Sequence, residues 1–315
     1  METVSERREG TVAEGTAADR DAARGPSRAR ALLVAMRPPE WIKNLLVYAG
    51  LLFSQQFDDP ARVLDATLAF VAFCAISSAG YLINDLRDVA FDRRHPEKRH
   101  RAIASGVLSE GLAWASAVVL ATVAVALPLI AVSPEVAGLV ATYGAITVAY
   151  SLILKRLVII DVMTIASLFI LRVVAGAVAV DAQASEWLLL CTAMLALFIG
   201  FTKRRQEAIQ EMAEGGGTRP VLEHYSVPFL DQMVSMVTAA AIISYAIYAV
   251  NSPKIGSEML VTAPAVLYGI FRYLYLIYDR RDTRSTAAIL TEDPGMIVAG
   301  IAWVGTALLM LYAFN

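Results

Sequence analysis

Hydrophobic residues along this chain gather into nine runs: roughly 41–57, 62–84, 108–130, 134–154, 157–180, 186–202, 228–250, 259–279 and 294–313. A helix needs ~20 apolar residues to cross ~30 Å of hydrocarbon; most runs reach that length, and the first and sixth are marginal. In lipid every backbone N–H and C=O must be satisfied within its own segment, so the runs predict helices. The expected fold is therefore all-α and polytopic, with about nine transmembrane helices over residues 36–315. Residues 1–35 are charged and small, and are read as a disordered cytoplasmic tail. They contain no apolar core of the kind a signal peptide carries. The chain is 57% hydrophobic with mean hydropathy +0.56, and shows no internal repeat beyond the helical period.

Charge distribution gives the runs an orientation. With the N-terminus placed in the cytoplasm, all but four of the 27 Lys and Arg residues fall in cytoplasmic segments. The exceptions are Arg62 and Lys254 on the opposite side, and Arg172 and Arg272 within spans, which is the positive-inside pattern. The outward loops are short (131–134, 181–185, 251–257), whereas the long polar loops all face inward. That asymmetry favours a membrane enzyme with a cytosolic active site over a transporter, which must open to both faces. Cys74 and Cys191 lie in apolar runs without a ligand motif and read as packing residues. No nucleic-acid partner is expected.

The second run ends on Asn84-Asp85-Leu86-Arg87-Asp88-Val89-Ala90-Phe91-Asp92. On a helix, Asp85, Asp88 and Asp92 share one face, and Tyr81 continues the stripe one turn earlier. Clustered carboxylates repel unless a cation sits among them, and Mg²⁺ is the ion suited to hard oxygen ligands and substrate phosphates. The alternative is a solvated acidic helix end neutralised by neighbouring arginines. A basic loop follows, with Lys98 and Arg101 among its residues, and such donors match phosphate oxygens. Arg172 lies deep in the fifth run. A charge placed there is costly and marks a ligand or an internal partner. Asp161 is eleven residues away, ~16 Å along a helix, too far for a direct pair.

The N-D-x-x-D-x-x-x-D stripe, the basic segment ending Arg101-Ala102-Ile103-Ala104-Ser105-Gly106 and the nine-run plan resemble the UbiA superfamily of intramembrane prenyltransferases, over about residues 35–315. Members acting on aromatic acceptors carry a second acidic motif after the sixth helix. This chain has Lys203-Arg204-Arg205 there instead. With the Arg37-Pro38-Pro39-Glu40-Trp41-Ile42-Lys43-Asn44 opening, the pattern resembles one branch of the superfamily, the decaprenyl-phosphate phosphoribosyltransferases.

That resemblance implies transfer of 5-phosphoribose from phosphoribosyl diphosphate to a polyprenyl phosphate such as decaprenyl phosphate, releasing diphosphate. It also implies a place in supplying the lipid-linked arabinose donor of the cell wall, in a bacterial inner membrane. Asn84, Asp85, Asp88 and Asp92 are the expected Mg²⁺ and diphosphate residues, with the three aspartates catalytic. Lys43, Tyr81, Lys98, Arg101, Lys155, Arg172, Lys203 and Arg204 are the expected substrate-binding residues. The nucleophile would be a phosphate oxygen, already largely ionised at neutral pH because its second pKa is near ~6. No Ser-His-Asp or Cys-His set is then required. An Mg²⁺-dependent aromatic-acceptor prenyltransferase and a lipid-phosphate transporter stay open as alternatives, and the residues leave a homo-oligomer open.

Overall fold

The structure is a computed structural model and describes residues 27–95, 98–214, 221–251, 256–280, 282, 284 and 286–313. All regular structure among the described residues is helical. In chain order the α-helices are α1 (Arg28–Ala35), α2 (Ala49–Ser54), α3 (Pro60–Arg87), α4 (Val89–Asp92), α5 (Glu110–Ala131) and α6 (Pro134–Leu152). They continue as α7 (Ile160–Ala179), α8 (Glu186–Glu214), α9 (Val227–Val250), α10 (Ala263–Tyr278), α11 (Thr286–Glu292) and α12 (Pro294–Ala313). A 3₁₀ segment, Pro38–Tyr48, precedes α2, and another, Gly256–Thr262, runs into α10.

The helix starts follow from local chemistry. Asp59 caps α3 by accepting from Ala61 N, with Pro60 in the first turn. Ser109, Ser133 and Ser226 cap α5, α6 and α9 in the same way. Each supplies an acceptor to a backbone N–H that has no partner within the helix.

Among the described residues, seven helical segments are long and apolar enough to cross a membrane: α3, α5, α6, α7, α8, α9 and the unit Gly256–Tyr278. A shorter apolar helix covers Pro294–Met310. The expected count of about nine is therefore not confirmed among the described residues, and the first run explains part of the difference. Instead of a continuous α-helix, it forms the 3₁₀ segment and the six-residue α2. Its backbone lies directly against α7. A Cβ on Gly176 would sit 1.8 Å from Val47 O, and one on Gly50 would sit 2.5 Å from Ala177 N. Only glycine permits that approach, which is how small residues let membrane helices pack closely.

The folded region also begins earlier than residue 36. Helix α1 buries Ala31 and Ala35, and Ala35 joins Leu82, Leu86, Ile103 and Leu108 in one apolar cluster. The remainder of the expected tail, residues 1–26, lies outside the described residues.

Two larger cores organise the bundle. One packs α3, α6, α7 and the 3₁₀ segment around Phe73, Val140 and Tyr143; the other packs α8, α9 and α10 around Phe198, Leu230 and Tyr273. Apolar side chains also face outward, such as Val118, Ile130, Ile301 and Leu309, as expected of helices whose outer surface meets hydrocarbon. An apolar cavity of about 840 Å³ lies between the halves, lined by Ile42, Leu46, Val173, Leu195, Tyr245 and Trp303 among others.

Candidate active site

Helix α3 stops at Arg87, Asp88 caps it, and α4 carries the chain on to Asp92. The acidic stripe is thus split by a cap rather than borne on one unbroken helix. Its oxygens consequently point to two places. Asp85 Oδ1 and Asp92 Oδ2 lie 3.1 and 2.8 Å from the same nitrogen, Arg101 Nη1. Asp85 Oδ1 also accepts from Arg37 Nη2 at 2.7 Å. Asn84 Oδ1 and both Asp88 oxygens lie 3.2–3.4 Å from Lys155 Nζ.

Arg37, Arg101 and Lys155, all outside α3, thus supply side-chain counter-ions to the aspartates. Their provenance is long-range. Arg37 comes from the turn before the 3₁₀ segment, in left-handed backbone conformation (φ 56°), and its guanidinium lies 4.9 Å from the centre of the Tyr81 ring. Arg101 is delivered by a loop pinned at Ile103 and Leu108, both 1% exposed. That loop reverses through Ser105 N to Arg101 O and Gly106 N to Ile103 O, with Gly106 at φ 81°. Lys155 sits on a 3₁₀ turn directly after α6. The Lys98 ammonium lies 5.5 Å from the ring centre of Phe91, the residue before Asp92.

Other expected substrate residues sit elsewhere. Lys43 pairs with Glu40 one turn before it, and Lys203 is exposed at the neighbouring part of α8. Arg204 departs most from the expectation of a phosphate contact. Its side chain is 1% exposed, it pairs with Asp161 Oδ2 at 2.6 Å and with Glu207, and it donates to Tyr150 OH at 3.0 Å. Asp161 in turn accepts from Tyr225 OH at 2.8 Å, and Ile159 N donates to that hydroxyl. Burial raises the Tyr225 phenol above its ordinary range, keeping it a donor to this network. Arg205 pairs with Asp231 and stacks on Tyr278. The basic turn is therefore mostly committed to joining α7, α8 and α9.

Arg172 is buried, and its partners are neutral: Asn44 Oδ1 at 2.7 Å, Leu168 O at 2.8 Å and Tyr143 OH at 2.6 Å. The rings of Tyr143 and Phe169 flank the guanidinium. Asn44 also contacts Ser77, eight residues and so ~12 Å before Asp85 along α3. The structure thus ties Arg172 to the 3₁₀ segment and does not bring it to the acidic cluster. Arg272 pairs with Asp293, whose carboxyl those hydrogen bonds hold below its usual range.

The donor set can be tested against a metal. Among the described residues no group of three or more His, Cys, Asp and Glu side chains converges on one point. Two points are instead lined by two oxygen-bearing side chains each. Mg²⁺ usually takes one or two carboxylates and completes its shell with water and substrate phosphate. The residues fit that arrangement, and do not fit an all-protein cage.

Membrane-length helices with a cluster of carboxylates and cations at the end of one of them fit an intramembrane transferase. The chain belongs to the UbiA prenyltransferase family, whose profile matches residues 44–301. Among its relatives, decaprenyl-phosphate phosphoribosyltransferase of Corynebacterium glutamicum is 32% identical over 288 residues, covering 89% of this chain and 86% of that protein. The enzyme of the same name from Mycolicibacterium smegmatis is 32% identical, covering 87% of this chain and 90% of that protein. A UbiA homologue from Archaeoglobus fulgidus, solved with GPP and Mg²⁺, has TM-score 0.69 at 19% identity, covering 90% of this chain and 99% of that one.

Sequence reasoning did not single out Arg37 or Asn44 as site residues, although both stand in the quoted Arg37–Asn44 opening. A cation beside two prolines at the mouth of a bundle was the available signal.

Proposed function

We propose that this protein transfers 5-phosphoribose from phosphoribosyl diphosphate to a polyprenyl phosphate of the decaprenyl type, releasing diphosphate. Two observations support the reading: the identity to phosphoribosyltransferases along nearly the whole chain, and the cluster of three carboxylates and three cations at the end of α3. The cluster carries the chemistry, because oxygens able to hold a metal beside cations that match phosphate oxygens suit a polyanionic substrate.

In the reaction, the C1–O bond to diphosphate breaks, its electron pair leaving with the diphosphate, and a lipid phosphate oxygen forms the new bond to C1. Mg²⁺, when bound, neutralises charge on the departing diphosphate. Asp85 with Asp92, and Asn84 with Asp88, are the side chains that would hold it. Arg37, Arg101, Lys155 and Lys98 bind phosphoryl oxygens and orient C1. No protein base is needed, since the lipid phosphate is already ionised.

The lipid phosphate approaches along the 3₁₀ segment near Lys43 and Lys203, while Ile42 and Leu46 of that segment open on the apolar cavity that receives part of the tail. Arg172 fixes the segment through Asn44. The active end faces the cytoplasm, where the water-soluble donor is found. The direct test is incubation of purified protein with radiolabelled phosphoribosyl diphosphate and polyprenyl phosphate. Mg²⁺-dependent label in the lipid phase is expected; absence of label, with prenylation of an aromatic acceptor instead, would reverse the assignment.

A further inference from the structure

The acidic cluster carries its own cations, one for each carboxylate: Asp85, Asp88 and Asp92 face Arg37, Arg101 and Lys155. The two points where its oxygens converge are both filled by nitrogen, Arg101 Nη1 at one and Lys155 Nζ at the other. The nitrogen–oxygen distances there are 2.8–3.4 Å. Mg²⁺ needs oxygens at about 2.0–2.1 Å from its centre, so it cannot enter either point while the side chain stays. Both cations have room to leave: their side chains are 31% and 20% exposed, and they sit on a loop and on a short 3₁₀ turn.

Charge sets the condition under which they leave. The cluster is formally neutral. A divalent ion alone would give it an excess of two positive charges beside the three cations, and a diphosphate alone would set an excess of negative charge beside three carboxylates. Together the additions largely cancel, and the displaced nitrogens find phosphate oxygens in place of carboxylate oxygens.

We propose that Arg101 and Lys155 are placeholders for the metal. In the ligand-free protein they occupy the metal points, and they swing onto the diphosphate as metal takes their place. Metal and diphosphate therefore bind interdependently, and neither binds tightly without the other. The inference rests on the proposed function only in taking a diphosphate as the anion. By linkage, the factor by which diphosphate raises metal affinity equals the factor by which metal raises diphosphate affinity.

The test uses full-length protein in detergent, Mn²⁺ as the metal and inorganic diphosphate as the anion. Protein-bound Mn²⁺ is measured by equilibrium dialysis at matched free Mn²⁺, with and without diphosphate. The wild type should gain about 5- to 150-fold in metal affinity when diphosphate is added, the range typical of coupled sites. Lys155→Gln and Arg101→Gln should each bind Mn²⁺ more tightly than wild type in the absence of diphosphate, with a smaller gain on its addition. The Asp85→Asn/Asp88→Asn double variant should lose Mn²⁺ under both conditions.

Equal Mn²⁺ affinity of the wild type with and without diphosphate would overturn the proposal. So would an unchanged metal affinity in both cation variants, or full Mn²⁺ retention in the double aspartate variant. Should one cation variant fail to fold, the wild-type comparison and the other variant decide. Because the probes carry no sugar and no lipid, intact coupling in a protein inactive toward phosphoribosyl diphosphate would remove the proposed function alone. Active transfer without coupling would remove this inference alone.

Discussion

Arg204 provides the sharpest test of how the basic turn on α8 is used. Its side chain and that of Asp161 are 1% and 0% exposed, joined at 2.6 Å. Replacing Arg204 by Leu leaves a buried carboxylate whose remaining side-chain donor is Tyr225 OH. Breaking a buried pair from one side costs about 3–5 kcal/mol. At about 2–4 °C per kcal/mol for chains somewhat shorter than this one, the loss is on the order of 10 °C in apparent melting temperature. Asp161→Leu should cost less, because Arg204 keeps Glu207 and Tyr150. The double Leu variant removes both charges and should regain most of the loss, since apolar replacements of buried pairs are often neutral. Heating detergent-solubilised protein and measuring the surviving monodisperse fraction ranks the four proteins even where unfolding is irreversible. An Arg204→Leu protein that melts with the wild type but shows a raised KM for phosphoribosyl diphosphate would refute the structural role and return the guanidinium to the substrate.

Asp85→Asn and Asp88→Asn should abolish turnover in the radiolabel assay while yield and melting stay near wild type, because Arg101 keeps Asp92 and the neighbouring cations are partly exposed; near-normal activity in both would end their assignment to metal and diphosphate. Lys203→Ala should lower kcat/KM for the phosphorylated lipid ten- to a hundred-fold, the scale of one charge-assisted contact worth ~1.5–3 kcal/mol, without changing protein level; a silent variant would make Lys203 a surface residue. Arg172→Ala should lower activity and melting temperature together, and Arg172→Lys should recover little, because one ammonium cannot reach Asn44, Leu168 O and Tyr143 at once; full rescue by Lys would show that charge alone matters. Gly176→Ala should lower the yield of folded protein steeply, since its Cβ would lie 1.8 Å from Val47 O; wild-type yield and melting would mean that the 3₁₀ segment packs differently.

The pattern of apolar runs was enough to place the long helices. Runs read as 62–84, 134–154 and 228–250 appear as Pro60–Arg87, Pro134–Leu152 and Val227–Val250, because length and hydropathy are properties of a segment on its own. Family resemblance was likewise legible from short motifs. The first run was not: apolar content cannot distinguish an α-helix from a 3₁₀ segment laid against Gly176, since the deciding contacts are distant in sequence, the Asn44–Arg172 hydrogen bond among them at 128 residues.

The same division runs through the site. From sequence alone, Asp85, Asp88 and Asp92 fall at the end of a long helix, basic residues follow them, and Asp161 and Arg172 lie too far apart to pair. The partner each charge takes is decided only by the tertiary structure. Arg37 and Lys155 reach the acidic stripe from 48 and 67 residues away, and Arg204 turns inward to Asp161 across 43 residues. Periodicity reports which face of a helix a residue occupies, but ion pairs between helices depend on how the helices cross. That geometry is set by close packing of small and large side chains throughout the bundle.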